Sequence, residues 1–148
     1  MSYWGVPRLR VMTVRSHMSD LLYVDTSVLI SARFSDRFTR WSLQSLAGAK
    51  LISSIITEVE LTRFVDREKL PRSLANEIIE QLLVVGLNRE TIEWAKTATP
   101  QVKSLDAIHV GTWLYLKAQG IDSAFVTADR RLAEAASSAG AKVLHPYS

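Results

Sequence analysis

Cysteine is absent from all 148 residues. That excludes a disulfide framework, a thiolate zinc site and a cysteine nucleophile, and it fits a reducing compartment, with the cytoplasm as the expected location. Long apolar runs are missing too; none approaches the roughly 18 residues that a membrane-spanning helix needs. Acids are missing from the first eighteen positions, which hold Arg8, Arg10 and Arg15. The formal charge of +3 therefore belongs to that segment, and the remainder carries fifteen basic and fifteen acidic side chains. The segment, MSYWGVPRLRVMTVRSHM, has no continuous apolar stretch of the signal-peptide kind. Its ending, SHM, resembles a cloning scar. Residues 1–18 are expected to be a tag or upstream extension with little order, and residues 19–148 one domain. No internal repeat or low-complexity tract is present. At 47% hydrophobic, the chain has enough apolar material for a real core.

What is present alternates short apolar strands with helices. Leu21 to Val24 reads as a strand. Ser27 to about Phe34 and Asp36 to Ala47 read as helices, the second stopped near Gly48. KLISS is a strand, and IITEVELTRFVDREKL is helical in period. Pro71 opens a helix through RSLANEIIEQLLVV, with a short strand in VVGL. RETIEWAKTA is a helix ended before Pro100. SLDAIHVGTWLYLKAQG is a helix with Ser104 as cap and Gly120 as stop. SAFVTA is a strand, DRRLAEAASSAG a helix with Gly140 at its end, and KVLH the last strand. Such a pattern implies an α/β fold with a parallel sheet covered on both faces. In open sheets of this kind ligands bind at the carboxyl ends of the strands.

Four acids stand in apolar company. Asp25 ends the first strand inside LLYVDTSVLI, where an unpaired carboxylate is costly. Glu60 shares a helical face with Ile56 and Phe64, and a salt bridge to Arg63 is its ordinary reading. Asp106 falls in the first turn of its helix, where the macrodipole favours an acid, but its neighbours Val110, Trp113 and His109 form an inward stripe. Asp129, between a strand and a helix, is a natural N-cap that leaves one oxygen free. Singly each has an ordinary explanation. Together, two at strand ends and two on inward helical faces, they would repel one another unless a cation sat among them or a proton was shared. Hard oxygen donors without cysteine select magnesium, with manganese as a substitute, over zinc.

YVDTSVLI, SSIITEVEL, SLDAIHVGTWL and FVTADRRLAEAA, in this order, resemble the PIN-domain ribonucleases, most of all the VapC-type toxins of toxin–antitoxin pairs. The resemblance runs from about Leu21 to the C-terminus. It implies a three-layer α/β/α fold around a central parallel sheet and a Mg²⁺-dependent endoribonuclease acting as a toxin. In the family's pattern Asp25, Glu60, Asp106 and Asp129 match the catalytic, metal-holding acids, with Asp25 and Asp106 as the principal ligands. Ser27 and Thr127 match the hydroxyls beside the first and last acids. The implied products carry a 3′-hydroxyl and a 5′-phosphate. The implied partners are a small antitoxin, an RNA substrate and a second copy of the chain, with DNA reached only through the antitoxin and no membrane.

A neutral domain with an acidic site needs help to bind RNA. Arg33, Arg37 and Arg40, spaced near one helical face after the Asp25 strand, are candidates, with Phe38 and Trp41 as stacking surface if exposed. A solvated helix with Trp41 buried is the plainer alternative. Phosphatases of the haloacid-dehalogenase type need a second Asp where this chain has Ser27, and response-regulator receivers need paired acids at the first strand. Metal-free cleavage by His109 and His145 is a further alternative, though His109 on its apolar stripe reads as a core histidine. The main rival of another class is a catalytically silent PIN-like binding module.

Overall fold

The computed structural model describes residues 21–147. The chain runs β1 (Leu21–Val24), α1 (Thr26–Arg33), α2 (Thr39–Leu46), β2 (Lys50–Ser54), α3 (Ile56–Arg67), α4 (Arg72–Ile79), β3 (Leu82–Val85), α5 (Arg89–Ala95), α6 (Ser104–Ala118), β4 (Ala124–Val126), α7 (Arg130–Ser138) and β5 (Val143–Leu144). The expectation of a poorly ordered segment at 1–18 lies outside the described residues.

All strand pairs are parallel, and the sheet order is β3-β2-β1-β4-β5. Successive side chains of a strand point to opposite faces, so the central strands feed two cores. Leu22, Val24, Leu51 and Val126 face one core with Val28, Leu29, Leu61, Val65 and Ile78 from α1, α3 and α4. Tyr23, Ile52 and Phe125 face the other with Val110, Trp113 and Leu116 of α6 and Leu132 and Ala136 of α7. This is the expected three-layer α/β/α arrangement. Helix α6 also packs tightly on α5: a Cβ built on Gly111 would lie 2.6 Å from the Ala95 backbone nitrogen. Only glycine permits that approach.

The expected helix from Pro71 through Val85 is divided. It stops after Ile79, and Leu82–Val85 becomes β3, pairing Leu51 with Leu82 and Ser54 with Val85. Ladder hydrogen bonds to β2 outweigh the local helical period there. Helix α2 begins at Thr39 rather than Asp36 because Asp36 Oδ1 accepts the Phe38 N–H (2.8 Å) and the Ser31 hydroxyl (2.7 Å), which makes a turn before the helix. Ser104, expected as a cap, is instead the first residue of α6, and the cap position falls to Lys103. The stops read at Gly48, Gly120 and Gly140 all have left-handed φ (74°, 85° and 100°).

From β1 the chain builds outward through β2 and β3, then crosses back to lay β4 and β5 on the other side of β1. The order therefore reverses between β1 and β4. At such a switch point the flanking loops diverge and leave a crevice at the strands' carboxyl ends.

Candidate active site

The register Val24 opposite Val126 brings the ends of β1 and β4 side by side. Asp25 follows β1 and is buried, and its N–H donates to the Val126 carbonyl at 3.3 Å. The strands beneath are anchored by Tyr23, Val24, Phe125 and Val126, none of which is exposed. Ser27, in the first turn of α1, ties the two loops together. Its hydroxyl donates to Asp25 Oδ1 (2.9 Å), lies 3.4 Å from Thr127 Oγ1 and accepts the Ala128 N–H (3.0 Å). Thr127 Oγ1 in turn accepts the Asp129 N–H (3.0 Å). Asp129 caps α7 as expected, Oδ1 accepting the Leu132 N–H at 2.9 Å.

Glu60 pairs with His109, not with Arg63: its Oε1 lies 3.0 Å from His109 Nε2. It also accepts the Thr26 hydroxyl at 2.6 Å. His109, 1% exposed, places Nδ1 2.8 Å from the buried Tyr23 hydroxyl. An ionised carboxylate only accepts, so Nε2 carries the proton in this pair. The polar chain continues from Thr26 to Thr57 (3.2 Å) and Ser53 (2.8 Å), whose hydroxyl donates to the Val24 carbonyl (2.6 Å). Glu60 is thus oriented by groups from β1, β2, α1, α3 and α6. His109 is a core histidine, as its apolar stripe suggests, and it also holds an acid of the site. Its place three residues after Asp106 was the only hint; its partners are 49 and 86 residues away in the chain.

The electrostatics separate the acids. Burial raises the Asp25 carboxyl from 3.8 to about 6, against the opposing pull of His109, Ser27 and Thr127. Burial also raises Asp106, with repulsion from Asp129 and Glu60 adding to it and His109 and Lys103 opposing it. For Glu60 burial works upward, but the hydrogen bond and electrostatic attraction of His109, with the Thr26 hydroxyl, outweigh it and lower the pKa. Burial holds Tyr23 well above its ordinary value, so it stays a hydroxyl donor. The repulsion expected among the acids acts on Asp106, whereas burial is the main cause of the rise at Asp25.

These couplings place Asp129 and Glu60 within electrostatic reach of Asp106. Among the described residues, however, no three His, Asp or Glu side chains are grouped as a ready set of metal ligands. Glu60 is committed to His109 and Thr26, and Asp129 to the start of α7. In chemistry the donors are carboxylate and hydroxyl oxygens, which suit a hard divalent cation.

The three candidate arginines do not share one helical face. Arg33 ends α1 and pairs with Glu77 of α4 at 3.9 Å. Arg40 is exposed on α2. Arg37 lies between the two helices with its guanidinium 4.5 Å over the Phe38 ring. Trp41 is half-buried and packs against the first core.

A PIN domain family model matches residues 22–137. Ribonuclease VapC35, from two strains of Mycobacterium tuberculosis, is 31% identical over 136 residues, which is 85% of this chain and 97% of that protein. Among solved structures, a toxin–antitoxin complex from Klebsiella pneumoniae aligns with a TM-score of 0.62 at 15% identity, covering 85% of this chain and 98% of that one. FitAB bound to an IR36 DNA fragment aligns with a TM-score of 0.55 at 16% identity, covering 84% and 94%. At these identities the likeness to the two solved structures is one of fold.

Proposed function

This chain belongs to the PIN-domain family, and from that premise we propose that it is a divalent-metal-dependent endoribonuclease acting as the toxin of a toxin–antitoxin pair. The observation that carries the reading is Asp25, a buried acid at the sheet's switch point whose pKa is raised to about 6 and which feels His109, the partner of Glu60. Carboxylates kept from ionising by burial and by one another are what a bound cation relieves.

Asp25 and Asp106 would hold Mg²⁺ or Mn²⁺, with Glu60 and Asp129 completing the set directly or through water. When bound, the cation supplies charge neutralisation at the scissile phosphate and a lowered pKa for the attacking water. The chain's own residues do the rest. Ser27 fixes the Asp25 carboxylate, Thr127 fixes the loop that carries Asp129, and His109 with Thr26 keeps Glu60 ionised and turned inward. Hydrolysis joins the water oxygen to phosphorus and breaks the bond to the 3′ oxygen, which takes a proton, giving 3′-hydroxyl and 5′-phosphate ends. An antitoxin protein and a second copy of the chain are the expected partners, in the cytoplasm; DNA would be reached only through the antitoxin.

The alternative is a silent PIN-like module that works by contact alone, and the dispersed commitments of Glu60 and Asp129 favour it. Purified protein incubated with total RNA decides. Cleavage that needs Mg²⁺ or Mn²⁺, stops in EDTA and is lost in Asp106→Asn is expected; intact RNA under every metal condition would leave the binding module.

A further inference from the structure

A cluster of rings and guanidinium groups stands beside the acids. Phe38 packs edge-on against Tyr147, ring centroids 5.4 Å apart. The Tyr147 hydroxyl donates to the carbonyl of Ala128, one residue before Asp129, so this ring is tied to the loop that carries the last acid. The Arg37 guanidinium lies 4.5 Å over Phe38, and that of Arg130 lies 4.6 Å over Tyr147. His145 stacks with Tyr147 (5.9 Å, 25°), its Nδ1 accepting the Tyr147 N–H at 3.0 Å. The two backing rings are half-buried, and Arg37, Arg130 and His145 are exposed. Among the described residues neither arginine forms an ion pair. Each therefore presents an oriented plane with an uncommitted charge. Arg130, His145 and Tyr147 also line a groove of about 460 Å³ between α7 and β5, with Glu134 on its wall.

We propose that this cluster is a subsite for a single-stranded RNA segment beside the scissile bond, with a base stacked on His145 and the Arg130 guanidinium and the adjoining phosphates held by Arg37 and Arg130. The proposal rests on the nuclease reading and specifies how that site takes its substrate. Imidazole and guanidinium planes accept any unstacked base, and a single strand offers such bases where a duplex does not. Glu134 repels a phosphate but accepts a hydrogen bond from a base amino group. The base therefore enters the groove while the phosphates face the arginines.

The test is anisotropy with a dye-labelled single-stranded RNA 12-mer, using full-length protein carrying Asp25→Asn so that the RNA stays intact. Arg37→Ala with Arg130→Ala is expected to raise Kd at least tenfold and to reduce the slope of log Kd against log salt by about 1.4, two charges at ~0.7 each. His145→Ala alone is expected to raise Kd severalfold with the slope unchanged. Tyr147→Phe, which keeps the ring but frees it from Ala128, is expected to weaken binding less. Thermal melts establish that each variant is folded. Unchanged Kd in the double variant and in His145→Ala would overturn the subsite. Equal losses for single strand, duplex and a polyglutamate peptide would reveal only a charge patch and also overturn it. Wild-type protein that binds in this way but hydrolyses no RNA in Mg²⁺ or Mn²⁺ would sustain the subsite while removing the nuclease reading. Cleavage with unaltered KM in the variants would do the reverse.

Discussion

Asp25 couples the site to stability. Its folded pKa of about 6 lies above the unfolded value near 3.8. Between those values the metal-free folded protein keeps a proton that the unfolded chain has released, so stability falls as pH rises. The contribution is complete below about pH 3.8 and lost by about pH 6, roughly 3 kcal/mol in all at ~1.4 kcal/mol per unit. Asp25→Asn should abolish cleavage, flatten this slope and make the metal-free protein at least as stable as wild type at pH 7. Urea melts in EDTA from pH 4 to 7 check it. Were Asp25 half of a buried ion pair, the same change would instead cost ~3–5 kcal/mol. Tyr23 offers a second test at this scale. Tyr23→Phe strands the buried Nδ1 of His109, at a cost of about 1–3 kcal/mol, and loosens the ring that turns Glu60 inward. A fall in kcat with KM for RNA unchanged is expected; loss of stability without loss of kcat would make the contact purely structural.

At the scale of elements, Asp129 caps α7 and is proposed to serve the site as well, and two substitutions separate the duties. Asp129→Asn keeps an oxygen to accept the Leu132 N–H, so the cap survives while the charge goes. Asp129→Ala loses both. The expected result is that both are inactive but only the alanine variant loses about 1 kcal/mol in a chemical melt. Gly111 governs how α5 meets α6. An alanine there would gain up to about 1 kcal/mol of helix propensity, yet its Cβ would stand 2.6 to 2.8 Å from the Ala95 backbone and Cβ. Backbone cannot yield as a side-chain tip does, so Gly111→Ala should be destabilising by roughly 1–3 kcal/mol net. A raised melting temperature would show that the two helices separate easily. Because α6 carries both Asp106 and His109, this packing also sets the depth of the site.

For the whole molecule, a cation bound only by the folded state stabilises it by mass action, about 2.7 kcal/mol at a hundred times Kd. For a domain of this size that is a melting shift on the order of 8 °C. Mg²⁺ is expected to produce such a shift in the wild type and a much smaller one in Asp25→Asn and Asp106→Asn. Equal shifts in all three would place the cation elsewhere. The shift is a property of the assembled sheet, since the four acids come from the ends of β1 and β4 and from α3 and α6, and no single segment holds more than one of them.

The sequence by itself determined the alternation of strand and helix, the glycine stops, the parallel sheet and the candidate acids, because each is a local signal. An apolar run of four, a left-handed glycine, or an Asp just past a strand acts within a few residues of chain. Only the tertiary structure decided which strands are neighbours, and the β1–β4 pairing is what sets Asp25 beside Thr127. It set the bounds of the strand read in VVGL, which runs over Leu82–Val85 because the ladder to β2 overrides the helical period there. It turned Glu60 toward His109 and Tyr23 rather than Arg63, because a half-buried carboxylate takes the donor that its packing presents rather than the one nearest in sequence. It split the three arginines as well, committing Arg33 to Glu77 and leaving Arg37 on Phe38 beside Tyr147, a partner more than a hundred residues away that no periodicity could have named.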